Sequence, residues 1–194
     1  MQWEKDFFYD EVRDGFYIPG MMKRAWGAEL NVLKEIDKIC RKHRIPYFLG
    51  SGTLLGAVRE GGQFIPWDDD VDIEMFRKDY LKFLSVAKEE LPDELYIRAI
   101  EVNIETASFV PKVGLREDVM SLPTLEKYCF FPYKVEIDIF LLDELSDKEE
   151  EERYREEVLT MLYSLNNKVF EGKSREDVEL LLEKLEEVLQ IHFD

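Results

Sequence analysis

A mixed α+β domain, built as a small mixed sheet flanked by helices with a helical region behind it, is the fold class that this sequence predicts. Three observations predict it. Segments with the apolar period of a helix alternate with short runs that are apolar throughout or alternate with period two. The 194 residues, 45% hydrophobic and 13% aromatic, suffice for one real core. Beyond about residue 145 the composition shifts to charged, helix-period sequence. The expected organisation is an arm over residues 1–21, a central domain over 22–145 and a helical region over 146–194 packed on that domain.

Residues 1–20 carry scattered aromatics and Pro19–Gly20, the pattern of an irregular arm. From about Met22 to His43, Trp26, Leu30, Leu33, Ile36 and Cys40 recur at helical spacing, which predicts an amphipathic helix ended by Ile45–Pro46. "YFLGS" predicts a short buried strand stopping at Gly50. "GTLLGAVRE" predicts a helix that follows at once. "GGQFIPW" is a loop, and "DVDIEM" alternates acidic and apolar as a strand with one polar face does. Arg77–Glu90 predicts a second amphipathic helix with Tyr80, Phe83, Leu84 and Ala87 on one face. "ELYIRAI" and "SFVPKVGL" are strand candidates. "KVEIDIFLLDE" alternates again, with Val135, Ile137, Ile139 and Leu141 on one face and Glu136, Asp138 and Phe140 on the other. Ser146 with Glu149 forms a capping-box pattern opening a charged helix to about Asn166. Ser174 with Asp177 marks a second candidate cap.

Bulk charge narrows the function classes. A formal net charge of -17 repels nucleic-acid phosphates and anionic lipid, so neither is an expected partner. It admits a phosphorylated small molecule provided cations lie between ligand and protein. Cys40 and Cys129 sit among apolar residues outside any CxxC pair, as buried free thiols of a reducing compartment do. The opening residues lack a signal-peptide pattern and no stretch reaches the length of a membrane span, so the expected location is cytoplasmic. His43 and His192 are assigned no role.

Five carboxylates fall within the seven residues from Asp68 to Glu74. Strand alternation puts Asp70, Asp72 and Glu74 on one face and Val71, Ile73 and Met75 on the other. Carboxylates so close resist ionising unless a cation neutralises them, and a divalent ion with hard-oxygen preference does this well. An exposed acidic loop is the competing interpretation, against which the strand alternation and the Trp67 lead-in count. A calcium loop of the EF-hand kind is excluded, because Ile73 stands where that loop needs glycine. Asp69 alternates away from Asp70 and Asp72 and has only a capping role open to it.

Upstream, "FLGSGTLLGAVR" places a small-residue turn before a helix N-terminus, where free N–H groups receive phosphate. Gly50 and Gly52 allow close backbone approach, and Ser51 and Thr53 offer hydroxyls. An ordinary tight turn is the alternative. Arg59 is either a phosphate contact or a helix-end cation. Asp138 lies in an apolar strand, where a carboxylate is costly unless paired or metal-bound; an exposed position, as expected for Glu136, is the alternative.

Taken together, a phosphate turn, an Asp-x-Asp strand and a later strand aspartate resemble the nucleotidyltransferase-like fold. More narrowly, "IPYFLGSGTLLGAVREGGQFIPWDDDVDIEMFRKDYLKF" and "EIDIFLLDEL" strongly resemble the LicD family, to which fukutin-like proteins are related, over roughly residues 25 to 145. The resemblance implies transfer of a phosphoalcohol, such as phosphocholine or ribitol phosphate, from a CDP-linked donor to a hydroxyl of a sugar or glycan, with release of CMP. It implies Asp70, Asp72 and Asp138 as catalytic metal ligands for Mg2+ or Mn2+; in the mechanism this suggests, Asp138 or Asp72 is a candidate to assist proton removal. Gly50, Ser51, Gly52 and Thr53 would form the donor-phosphate turn, with Arg59 and Trp67 as further substrate contacts. Trp67 and the cluster Tyr128, Phe130, Phe131 and Tyr133 offer aromatic faces to a quaternary ammonium, with core packing as the alternative for each. Two features depart from the family pattern: an extra residue around "EGGQF", with Glu60 where a basic residue is common, and an end at "LQIHFD" without a Tyr-Gly-Asp-rich segment. The alternatives are a nucleotidyl transferase using an NTP, and a non-catalytic nucleotide- or metal-binding relative.

Overall fold

The computed structural model describes residues 3–4, 6–103, 110–116, 121–170, 179–180, 183–184 and 188. The chain divides into two compact units, Met1–Asp143 and Glu144–Asp194.

The first unit opens with a hairpin, not an irregular arm. Strands β1 (Glu11–Arg13) and β2 (Phe16–Ile18) pair antiparallel. Asp14 and Gly15 between them both take positive φ, 50° and 82°. That is the geometry in which a two-residue turn follows the twist of its strands. Helix α1 (Gly20–His43) begins two residues earlier than the spacing predicts and ends at Arg44 in the left-handed conformation. Its apolar stripe buries Trp26, Ala28, Val32, Ile36, Ile39 and Cys40.

Strand β3 (Phe48–Leu49) leads directly into helix α2 (Ser51–Arg59). Strand β4 (Val71–Phe76) runs without a break into helix α3 (Arg77–Glu90), and α3 buries the four predicted residues Tyr80, Phe83, Leu84 and Ala87. Then come β5 (Leu95–Arg98), β6 (Lys112–Leu115), the short helix α4 (Leu122–Lys127) and β7 (Glu136–Leu142). Ser108 and Phe109 of the "SFVPKVGL" run lie outside the described residues.

Among the described residues β3 to β7 form a mixed sheet in the order β3-β4-β7-β6-β5. β4 and β7 are parallel, and the other pairs are antiparallel. α1 and α3 pack against the sheet. Val71, Ile73, Met75, Val113, Ile137 and Ile139 are at most 1% exposed there, and burying each such side chain contributes ~1.5–3 kcal/mol. This is the α+β arrangement that the patterning predicts, and it is consistent with the nucleotidyltransferase-like fold that the resemblance implies. One strand departs from it. β3 is an edge strand with Phe48 46% exposed, not a buried one, because only β4 pairs with it. Cys40 and Cys129 are buried free thiols.

In the second unit helix α5 runs from Glu149 to Phe170, four residues beyond the predicted end. The cap differs from the predicted box. The Ser146 hydroxyl accepts from the Lys148 N–H (3.1 Å), and it is Glu152, not Glu149, that reaches back to the Ser146 N–H (2.5 Å). The candidate cap at Ser174 and Asp177 lies outside the described residues. No helix among the described residues is long and apolar enough to cross a membrane.

Candidate active site

The polar face of the sheet carries one continuous row of charge. Asp72 on β4 is paired in register with Asp138 on β7. Asp138 is paired with Lys112 on β6, and Lys112 with Arg98 on β5. Residues directly opposite in a ladder point to the same face, at ~4.8 Å from strand to strand. The row therefore reads acid, acid, cation, cation over roughly 14 Å.

Burial and charge both perturb the acidic end. Asp72 is 8% exposed, whereas Asp69 and Asp70, just before the strand, are exposed. The Asp72 carboxyl titrates above its ordinary value because burial penalises its charge. Asp138 and Asp68 reinforce that, and a hydrogen bond from Ser51 opposes it. Asp70, although exposed as a residue, is raised first by partial desolvation of its carboxyl, then by Asp72, Asp69 and Asp138, with Lys112 opposing. Asp68 is raised by burial, then by Asp70 and Asp69.

The turn before α2 is bound to this strand. The Gly50 N–H donates to the Asp72 carbonyl (2.9 Å), and the Thr53 Oγ1 accepts from the Asp72 N–H (2.9 Å). So the Thr53 oxygen, expected to face phosphate, fixes the backbone of the acidic strand. Ser51 takes φ 42°, a left-handed conformation that costs a non-glycine residue ~1–2 kcal/mol, and its side chain reaches Asp72. The two glycines make room for carboxylates. A Cβ on Gly50 would stand 3.0 Å from Glu74 Cγ, and one on Gly52 only 2.5 Å from Asp68 Oδ2. Asp68 cannot easily yield, since its carbonyl accepts from Trp26 Nε1 (2.7 Å) and its N–H donates to Ile65 (3.0 Å). Gly52→Ala is therefore expected to lose the ~1 kcal/mol that alanine gains in a helix and to lower stability by about 1 kcal/mol, measured by urea unfolding.

Other expected contacts fall elsewhere. Arg59 closes the far end of α2, roughly 12 Å along the helix from Ser51, and pairs with Glu60 at 2.6 Å. Trp67 is 60% exposed beside Phe16, with ring centroids 5.8 Å apart. Tyr128 is fully buried and presents no free face, Phe131 packs edge-on against Tyr133, and Phe130 is half exposed. Glu136 is not an exposed-face carboxylate: Tyr96 (2.5 Å), Arg98 (2.9 Å) and Lys134 (3.3 Å) all hold it.

Two residues belong to the site that patterning does not single out. Lys112 grips Asp138, its Nζ 2.5 Å and 2.7 Å from the two carboxylate oxygens. Glu29 of α1 is 4% exposed, and its Oε2 has no hydrogen-bond partner. Burial, reinforced by Asp70, Asp69 and Asp68, pushes its carboxyl up to about 8.

As they stand, no three His, Cys, Asp or Glu side chains among the described residues close on a common metal position. The donor chemistry nonetheless fits a hard divalent cation. Asp70, Asp72 and Asp138 offer only oxygens, and Asp68 Oδ2 is buried without a hydrogen-bond partner.

A small mixed sheet with an Asp-x-Asp run entering one strand, a facing strand aspartate and a glycine turn is consistent with a nucleotidyltransferase-like fold. Residues 44–111 match the model of the LicD/FKTN/FKRP nucleotidyltransferase domain. The chain is 36% identical over 108 residues to the lipopolysaccharide cholinephosphotransferase LicD of Haemophilus influenzae, covering 56% of this chain and 34% of that one. An uncharacterised protein of Rickettsia typhi is 42% identical over 55 residues, covering 28% of this chain and 18% of its own. A second, from Rickettsia prowazekii, is 37% identical over 78 residues, covering 40% and 28%. The chain thus spans about a third or less of the curated relatives it matches. No solved structure matches it.

Proposed function

We propose that this domain transfers a phosphoalcohol, phosphocholine or a close analogue, from a CDP-linked donor to a hydroxyl of a sugar or glycan, releasing CMP. The observation that carries this is the in-register pair of Asp72 and Asp138 on adjacent parallel strands, with Asp70 two residues before Asp72. The likeness to a cholinephosphotransferase supports the donor class.

A divalent cation, Mg2+ or Mn2+, held by Asp70, Asp72 and Asp138 would offset charge on the transferring phosphorus and the leaving CMP. The protein's own residues do the rest. Gly50 and Thr53 fix the backbone of Asp72, so its carboxylate is preset. The N–H groups that open α2 hold a phosphate oxygen. The acceptor hydroxyl attacks in line, and its proton passes to Asp72 or Asp138. The proposed setting is cytoplasmic, in keeping with two free thiols.

Nucleotide release tests the proposal. CDP-choline or CDP-ribitol with a glycan acceptor and Mg2+ is expected to yield CMP, and EDTA to stop it. Pyrophosphate from CTP or ATP instead would assign a nucleotidyl transfer. Binding of nucleotide or cation without turnover of any donor would assign a non-catalytic module.

A further inference from the structure

Lys112 is the cation already inside the acidic site. Its stem lies on β6, its side chain is 21% exposed, and its ammonium spans both oxygens of Asp138. Its charge also reaches Asp70 and Asp72. Both oxygens of Asp138 face Lys112, so a divalent ion that uses Asp138 competes with the ammonium for that carboxylate and repels its charge. A lysine suits such an exchange: it is a compact charge on a flexible four-carbon stem, free to re-aim. Arg98, next in the row, is held by Glu136 at 2.9 Å and is not so free.

We infer that Lys112 is a displaceable counter-ion. It holds Asp138 while the site lacks a divalent cation, then turns from Asp138 to a phosphate oxygen of the donor when that cation arrives. The inference rests on the proposed phosphotransfer for its second half only; the first half concerns the protein and the cation alone.

Mn2+ titration of the donor-free protein, wild type against Lys112→Met, separates this from a merely structural lysine. Removing the resident competitor is expected to tighten Mn2+ binding about tenfold, within the range that partners of metal ligands typically command. CMP release from CDP-choline is expected to fall by about 10²-fold at the same time, since a phosphate contact is lost. Unchanged or weaker Mn2+ binding by a folded Lys112→Met protein overturns the counter-ion role, because an ammonium that competes for Asp138 must weaken the metal while it is there. Absence of Mn2+ binding by both proteins overturns it too. Turnover by neither protein, with tighter Mn2+ binding by the variant, removes the donor contact and the proposed function but leaves the counter-ion standing. Should Lys112→Met fail to fold, acetylation of lysines in the wild type read by mass spectrometry decides. Lys112 is expected to label several-fold faster with Mg2+ than with EDTA, and an equal rate refutes the exchange.

Discussion

Asp72→Asn is expected to abolish transfer, cutting CMP release by about 10³-fold, and to make the cation-free protein more stable. The two effects share one cause. Asparagine keeps a carbonyl that can accept from Ser51, and the backbone bonds to Gly50 and Thr53 do not involve the side chain. What is lost is a negative charge that burial and Asp138 both oppose. A carboxyl whose folded titration point is raised binds its proton more tightly folded than unfolded. Stability therefore falls as pH climbs from 3.8 through the raised value and stays reduced above it. At neutral pH the variant escapes that penalty, and each kcal/mol of relief is worth ~2–4 °C in a chain of this size. Melting curves with EDTA and with Mg2+ check both halves: Mg2+ should raise the wild-type Tm and leave that of Asp72→Asn nearly fixed. Full activity in the variant would remove Asp72 from the chemistry.

A second large effect belongs to Glu29. Its carboxyl moves from 4.5 to about 8, chiefly because α1 buries it and then because Asp70, Asp69 and Asp68 lie close. The folded protein keeps this proton to about pH 8 while the unfolded chain gives it up near 4.5. Stability is thus full below the lower value and drains away across the interval. At ~1.4 kcal/mol per pH unit the loss is on the order of 5 kcal/mol. Glu29→Gln, neutral at every pH, is expected to erase that slope and to exceed the wild type in stability at pH 9. Urea unfolding in EDTA between pH 5 and 9 measures it, and parallel pH profiles for the two proteins would show that Glu29 is not the group concerned.

Much of this architecture is legible in the primary structure, and the exceptions have physical reasons. β4, α3 and β7 follow their apolar periods, because each hides one face in the core. The hairpin at Asp14–Gly15 is missed as an irregular arm although its turn residues announce it; three-residue strands are too short to show a period. β3 reads as buried because its residues are apolar, but apolarity does not say whether a strand is central or at an edge. Glu29 stands three residues after Trp26 and four before Leu33, on the apolar stripe of α1, so its burial has a sequence signal. Lys112 has none for its partner. Alternation sets its face, but only the antiparallel register of β6 on β7 sets it beside Asp138. The acidic triad is legible as a composition, while its contact with an ammonium is a product of long-range pairing.

That long-range pairing also dictates when the site comes into being. β7, the last strand of the sheet in sequence, occupies its middle, with β4 on one side and β6 on the other. The β3–β4 and β5–β6 pairs can form early, each from nearby sequence, yet they have no common edge until β7 is inserted. Loop-closure entropy over the span from 76 to 136 must be met before Asp138 reaches Asp72, so this is the slow kind of contact. On the ribosome, the acidic strand waits with the edge that faces β7 unpaired until residue 142 has emerged. A growing chain therefore carries the string "DDDVD" for dozens of residues before Asp72 and Asp138 stand side by side.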